Sequence, residues 1–218
     1  MEEVKNYEEL MDLVSDENIK VINFKFSDLF GSWQQISIPV NMLKETFFKD
    51  GEDGLHFDLQ SYKGWGFSEA KDMVLKPNEG TAFIDPFSDI KTLVLICDIY
   101  NPLEENYFDG DPRFIARKSE SYLKSVSAGD KACFGPESSF FIFDHIRYDQ
   151  SNLEGYYQVG SSYSAMFNPQ DNDTGEPGVS NSLSVNNNLN DIRNDMLLNL
   201  KSVSIDVESQ HQGIDLST

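Results

Sequence analysis

Carboxylates are the most abundant side chains in this sequence that could bind a cation or move a proton. The 218 residues include 37 Asp and Glu against 17 Lys and Arg, which gives a formal net charge of −20. Such a chain repels phosphate backbones and anionic lipid, which excludes nucleic acid and membrane surfaces as partners. Because a solvated acidic surface explains most of this charge, the total charge does not indicate a metal site, and only particular carboxylates could form one.

Nitrogen and sulfur ligands are few. His56, His145 and His211 are far apart and lack the spacing of metal ligands, so we expect them at the surface or in loops. Cys97 and Cys133 lie in apolar, strand-like runs, and we expect buried free thiols in a reducing cytosol. The sequence does not begin with a positively charged region followed by an apolar stretch, and it has no apolar run about 18 residues long. This pattern predicts a cytoplasmic protein without a membrane partner.

The first half of the sequence alternates short helical and strand-like patterns. Apolar spacing predicts an amphipathic helix over Glu2–Val14 and a helical turn over Leu43–Phe48. The predicted strands are Val21–Phe26, Trp33–Val40, Thr81–Ile84 and Thr92–Ile99. Together these elements predict a compact α+β unit up to about Tyr107.

The second half has fewer apolar anchors. Pro112, near the first helical position, predicts a helix that Asp111 caps. The helix is predicted over Pro112–Ser125, and an apolar strand interrupted by Gly-Pro is predicted over Ala132–Phe143. A second helix is predicted over Asp191–Leu200 and a last strand over Ser204–Val207. Residues 151–190 are rich in Ser, Asn, Gly and Gln, which predicts long loops or disorder.

Several motifs follow one another in a fixed order along the chain. They are Phe24–Trp33, Phe57–Trp65, Asp72–Pro77, Ile84–Phe87, Asp111–Arg117, Phe134–Phe141 and Asp191–Met196. In this order they resemble the motifs of bacterial-type glutamine synthetases, and they cover nearly the whole chain. The order of the motifs carries the resemblance, because no single motif would identify the family.

The resemblance implies an α+β fold in two domains. Residues 1–108 correspond to the family's N-terminal β-grasp-like domain. Residues 109–218 correspond to the incomplete start of its catalytic domain, an antiparallel sheet with helices. The family's subunit is considerably longer, so we expect a truncated homologue of its N-terminal half.

The resemblance also implies a reaction, the ATP-dependent ligation of ammonia to glutamate in nitrogen assimilation. Mg²⁺ or Mn²⁺ and ATP are the implied cofactors, at active sites between neighbouring subunits of a ring. Asp58 matches the family's loop aspartate, which helps deprotonate ammonium in the neighbouring subunit, and Ser61 matches a loop serine. From the residues alone, Asp58 would merely start a turn.

Two positions depart from the family's metal-binding pattern. Glu137 matches the first glutamate of Gly-Pro-Glu-x-Glu, in which both glutamates point to one face of a strand, but Ser139 stands at the second. Gly213 stands where a further metal-binding glutamate is expected. A neutral hydroxyl is a poor substitute for a carboxylate facing a dication, so we expect the metal site to lose charged ligands.

Three functions are compatible with these residues. The chain is a truncated family member without ligase activity of its own, or a regulatory subunit that lends or blocks its Asp58 loop within an intact glutamine synthetase. The third possibility, half of a split enzyme, is disfavoured by Ser139 and Gly213. We expect a homo-oligomer or a complex with full-length glutamine synthetase, because unpaired strand edges favour association.

Overall fold

Most of the regular structure lies in the N-terminal part of the chain. The structure is a computed structural model that describes residues 4–51, 53–66, 71–140, 142–143, 145–160 and 190–211. By its internal contacts the chain divides into two units, Met1–Cys133 and Phe134–Thr218. No helix among these described residues is long and apolar enough to cross a bilayer.

The described part of the first unit contains two α-helices and seven strands. The helices are α1 (Tyr7–Asp16) and α2 (Pro112–Ser125). The strands are β1 (Val21–Ser27), β2 (Trp33–Pro39), β3 (Leu55–Asp58), β4 (Asp72–Pro77), β5 (Phe83–Ile84), β6 (Thr92–Asn101) and β7 (Asn106–Tyr107). Short 3₁₀ helices join several of them, including Glu45–Phe48 and Leu59–Ser61.

The predicted elements of this unit are largely confirmed. Helix α2 has the predicted bounds, and β1, β2 and β6 begin at the predicted residues. The predicted helical turn at Leu43–Phe48 is the 3₁₀ helix, and the predicted N-terminal helix begins only at Tyr7, after the Asn6 cap. The sequence does not predict β3, β4 or β7, because they are short and β4 is buried at nearly every position.

The strands form one mixed sheet. Their order is β2-β1-β6-β4-β3, and β5 and β7 also pair with β6. The β1–β6 pair is parallel, with Phe24 opposite Leu95, and the other pairs are antiparallel. Since β6 pairs on both sides, its apolar run is continuous rather than alternating, and of its ten residues only Ile96 is not fully buried. The predicted α+β class is confirmed.

One hydrophobic core holds the first unit together. Phe24, Met73 and Leu95 from three strands are fully buried in it, and α1 contributes Leu10 and Val14. Burial of such side chains stabilises the fold by about 1.5–3 kcal/mol each. The core therefore fixes the strands from which the loops of this unit project.

Helix α2 is attached to β6 by charged groups. Asp98, on β6, is 4% exposed and accepts from Arg113 Nε at 3.0 Å and from Arg117 at 3.1 Å. Asp111 caps the helix as predicted, accepting from Arg113 N, and also accepts from the buried Ile99 N. These contacts explain why α2 belongs to the first compact unit.

The second unit has less regular structure. Its described elements are β8 (His145–Gln150), β9 (Gly155–Gly160) and α3 (Asn190–Ser202). β8 and β9 form an antiparallel hairpin, and α3 confirms the predicted helix within two residues at each end. The prediction of loops over 151–190 is wrong at β9, and 161–189 lie outside the described residues.

Two predicted strands of the second half are wrong. Residues 131–140 are irregular and exposed, and Ser204–Val207 forms no strand. An apolar run becomes a strand only when a neighbouring strand pairs with it, and neither run has such a partner among the described residues.

This difference also separates the two cysteines. Cys97 is buried in β6 as predicted, and burial raises the pKa of its thiol well above the ordinary value. Cys133 is exposed, so the prediction of a buried thiol is wrong there, because it depended on the strand that does not form. The three histidines are exposed, as predicted.

Candidate functional site

Asp58 is the last residue of β3 and the N-cap of the 3₁₀ helix that follows. Its Oδ1 accepts a hydrogen bond from Gln60 N at 3.0 Å, and its Oδ2 accepts one from Ser61 Oγ at 3.1 Å. Asp58 and Ser61 are both exposed. The two loop residues selected from the sequence therefore contact each other, and they fix a solvent-facing carboxylate in one orientation.

A second carboxylate lies across the β3–β4 ladder. Asp72 is the register partner of Asp58, and both are exposed. Like charges at opposed positions of a sheet are unfavourable, so this arrangement gives no stability to the strand pair. It does make this end of the ladder negative, which favours a cationic group nearby.

Aromatic packing supports the loop that follows Asp58. The Tyr62 ring lies edge-on to Phe26 and Phe57, with centroids 5.0 and 5.7 Å away. Gly64 has φ +94°, and a Cβ there would lie 2.6 Å from Leu29 Cβ, so only glycine fits. We call residues 58–65 the Asp58 loop, and these contacts pack it against the turn between β1 and β2 and against Phe26 and Phe57.

The turn between β1 and β2 braces this loop. Asp28 is fully buried there, and its carboxylate accepts from Phe30 N, Ser32 N and Gln34 Nε2 at 2.8–3.0 Å. Burial raises the pKa of Asp28, but these hydrogen bonds and the nearby Lys63 outweigh it and leave the pKa below its ordinary value. An ionised Asp28 therefore fixes the turn against which the loop packs.

The predicted metal-binding positions lie in the second unit. Glu137 and Ser139 are exposed in the irregular segment, and Gly213 lies outside the described residues. Glu137 Oε1 is 3.4 Å from His211 Nε2, an exposed pair of little energetic value. In the part of the chain that the structure describes, no three His, Cys, Asp or Glu side chains converge. These donors do not fit the two-cation site that the resemblance implies.

Sequence reasoning misses the residues that support the site. Nothing in the spacing of His211 pairs it with Glu137, which it contacts in the structure. The contacts of Leu29 and Phe26 with the Asp58 loop are tertiary, and the only sequence signal for them is the glycine at position 64.

Fold and site together define an α+β protein with an acidic loop on the mixed sheet of its first compact unit. The family model described as glutamine synthetase, beta-Grasp domain, matches residues 18–102, and the one described as glutamine synthetase, catalytic domain, matches residues 109–215. The chain belongs to the glutamine synthetase family. The domain boundary predicted at residues 108/109 stays a prediction, because α2 belongs to the first compact unit.

Individual relatives agree with this assignment. The chain is 44% identical over 155 residues to glutamine synthetase from Aquifex aeolicus, covering 71% of this chain and 32% of the relative. It is 33% identical over 216 residues to glutamine synthetase from Nostoc sp., covering 95% of this chain and 45% of the relative. It is also 36% identical over 213 residues to a 3-hydroxylaminophenol mutase from Cupriavidus pinatubonensis, covering 94% of this chain and 45% of the relative.

A solved structure shares the fold. The glutamine synthetase of Plasmodium falciparum superposes with a TM-score of 0.79 at 20% identity, covering 99% of this chain and 44% of that chain. The chain thus spans less than half the length of the relatives it matches. Since one relative bears the name of a mutase, membership of the family does not by itself fix a reaction.

Proposed function

We propose that this chain is a glutamine synthetase family protein that does not complete the ATP-dependent ligation of ammonia to glutamate with its own residues. The observation that carries the proposal is Ser139, which stands two positions after Glu137 where the family pattern has its second carboxylate. Mg²⁺ and Mn²⁺ in such a reaction neutralise the transferring phosphoryl group and require hard, charged oxygen ligands. A serine hydroxyl supplies no charge.

The surroundings of Glu137 support the same conclusion. The contact of Glu137 is with an imidazole nitrogen of His211, a ligand type that suits zinc or copper better than magnesium. At the C-terminal position of the family pattern Gly213 supplies no side-chain oxygen.

The test is ADP release by the purified chain with ATP, glutamate, ammonia and Mg²⁺ or Mn²⁺. We expect no turnover above the protein-free blank, and no change when Glu137 is replaced by Ala. Turnover that the Glu137→Ala variant abolishes would overturn the proposal, because it would show that one carboxylate suffices.

Restoring the missing carboxylate tests the role of position 139 directly. Ser139→Glu is expected to raise the affinity for Mn²⁺ by about tenfold or more, equivalent to about 1.4 kcal/mol. Ser138→Glu is the matched control, since it adds the same charge one residue away from the ligand position of the family pattern. Electron paramagnetic resonance of free Mn²⁺ measures both affinities. Equal affinities for the two variants would show that position 139 is not a ligand position.

A second candidate function is a subunit that co-assembles with an intact synthetase and places its Asp58 loop in a neighbouring active site. The Asp58 loop supports this candidate, because its Asp58 carboxylate is exposed and, among the described residues, bonds only to its own loop. Co-sedimentation with the Nostoc sp. enzyme is the first test. A stable monomer that ignores the added enzyme contradicts the candidate.

A further inference from the structure

The Asp58 loop ends at a buried tryptophan. Trp65 is 4% exposed, and its ring lies edge-on to Phe108, with centroids 6.1 Å apart. Phe108 is far along the chain, just before α2. The end of the loop is therefore packed against the segment that leads into this helix.

Gly110 closes this contact from the other side. A Cβ at Gly110 would lie 2.6 and 2.7 Å from two ring atoms of Phe108 and 3.4 Å from Trp65 Nε1. Distances below 3.0 Å cannot be accommodated unless an atom moves, and Phe108 is a rigid ring in a packed site. The glycine is thus required for Phe108 to keep its present position beside Trp65.

The segment Phe108–Asp111 is fixed to the sheet. Phe108 N donates to Ile99 O at 2.8 Å, Asp111 N donates to Phe108 O at 3.0 Å, and the Asp111 carboxylate accepts from Ile99 N. Asp111 also caps α2. The start of α2, Phe108 and Trp65 are therefore joined by a continuous series of contacts.

The end of the Asp58 loop is also packed on the side that faces the β1–β2 turn. Gly64 packs against Leu29 of the braced β1–β2 turn, so the loop cannot retreat in that direction. Trp65 Nε1 is buried and has no hydrogen-bond partner among the described residues, so the contact of Trp65 that the structure shows is that of its ring with Phe108.

We infer that Trp65 is a positioning residue that couples the Asp58 loop to the Phe108–Asp111 segment, so that the start of α2 controls where the Asp58 carboxylate lies. The inference rests on the proposed function in one respect, namely that the position of Asp58 matters to a neighbouring subunit. The coupling itself is a property of the isolated chain and is measurable without a partner.

The experiment uses the full chain with Trp33→Phe as background, since Trp33 and Trp65 are the two tryptophans and Trp33 is 60% exposed. Gly110→Ala is expected to shift Trp65 emission to longer wavelength and to speed hydrogen exchange of the Gln60 and Tyr62 amides by about tenfold or more. The matched control is Gly129→Ala, whose added Cβ would meet Leu123 at an ordinary 3.7 Å. It is expected to change neither.

A pair of substitutions at Trp65 keeps the inference testable if Gly110→Ala fails to fold. Trp65→Phe preserves the ring contact and removes the unpaired N–H, so loop exchange is expected to stay as in wild type. Trp65→Ala removes the ring and is expected to speed loop exchange as Gly110→Ala does, while the amides of β1 keep their protection. Unchanged loop exchange in Gly110→Ala and Trp65→Ala would overturn the coupling, whatever Asp58 does in a neighbouring subunit.

Discussion

Replacing Asp111 by Ala is expected to lower the free energy of unfolding of the first unit by about 2–4 kcal/mol. The side chain is 1% exposed and accepts two backbone hydrogen bonds, from Arg113 N at 2.9 Å and from Ile99 N at 3.0 Å. Loss of a helix cap costs about 1 kcal/mol, and a buried strand N–H without an acceptor costs about 1–3 kcal/mol. The alanine methyl group replaces neither bond.

The neighbouring Asp109 offers a matched control with the same change of charge. Its side chain is 78% exposed and pairs with Lys118 at 2.9 Å, so Asp109→Ala is expected to cost at most about 0.5 kcal/mol. Urea unfolding followed by tryptophan fluorescence measures both variants. If both substitutions lower the unfolding midpoint equally, the two backbone bonds of Asp111 do not carry the stability assigned to them here.

The environment of Asp111 determines how the stability difference between wild type and Asp111→Ala depends on pH. Burial raises its pKa, and the hydrogen bonds from Ile99 N and Arg113 N offset this only in part. The folded chain therefore binds this proton more tightly than the unfolded chain, and the contribution of Asp111 to stability falls as the pH rises from below the ordinary Asp pKa through the raised one. The stability difference between wild type and Asp111→Ala is expected to be larger in acid than at neutral pH.

Local signals in the sequence predict the elements that depend on local chemistry. Helix α2 has the bounds that Asp111 and Pro112 indicate, because a cap and a proline at the first turn determine where a helix starts. β6 was predictable because its apolar run is long and unbroken. In contrast, Ala132–Phe143 is apolar at both ends but interrupted by Gly-Pro, and no strand forms among its described residues, because a strand also needs a neighbour that no local pattern supplies.

In the candidate site, too, some residues were predictable from the sequence and others were not. The family pattern places Asp58 and Ser61, and the turn-forming role that the residues alone suggest is also correct, since Asp58 caps a short helix. The braces of the loop come from Leu29, Phe26 and Phe108, which are distant in sequence. Their contacts depend on how β1, β3 and the segment before α2 come together, and periodicity contains no information about that arrangement.

The second candidate function predicts that a mixed assembly in which only this chain carries the loop aspartate loses activity when Asp58 is replaced by Ala. The partner would be the Nostoc sp. glutamine synthetase with Ala in place of the aspartate that aligns with Asp58. Wild-type chain is expected to restore ammonia-dependent ADP release at shared active sites. With Asp58→Ala the restored rate is expected to be about 10²–10⁴ times lower, the range for loss of a positioned proton acceptor.

The matched control is Asp12→Ala, which removes the same charge from an exposed position on α1 and is expected to restore the rate like wild type. Sedimentation of each mixture shows whether the subunits associate, so that a loss of activity is not confused with a loss of assembly. Equal restoration by wild type and Asp58→Ala, or no restoration by wild type in a mixture that does assemble, would show that the loop does not act in a neighbouring subunit. The fixed orientation of the Asp58 carboxylate would then be explained by its role as a helix cap alone.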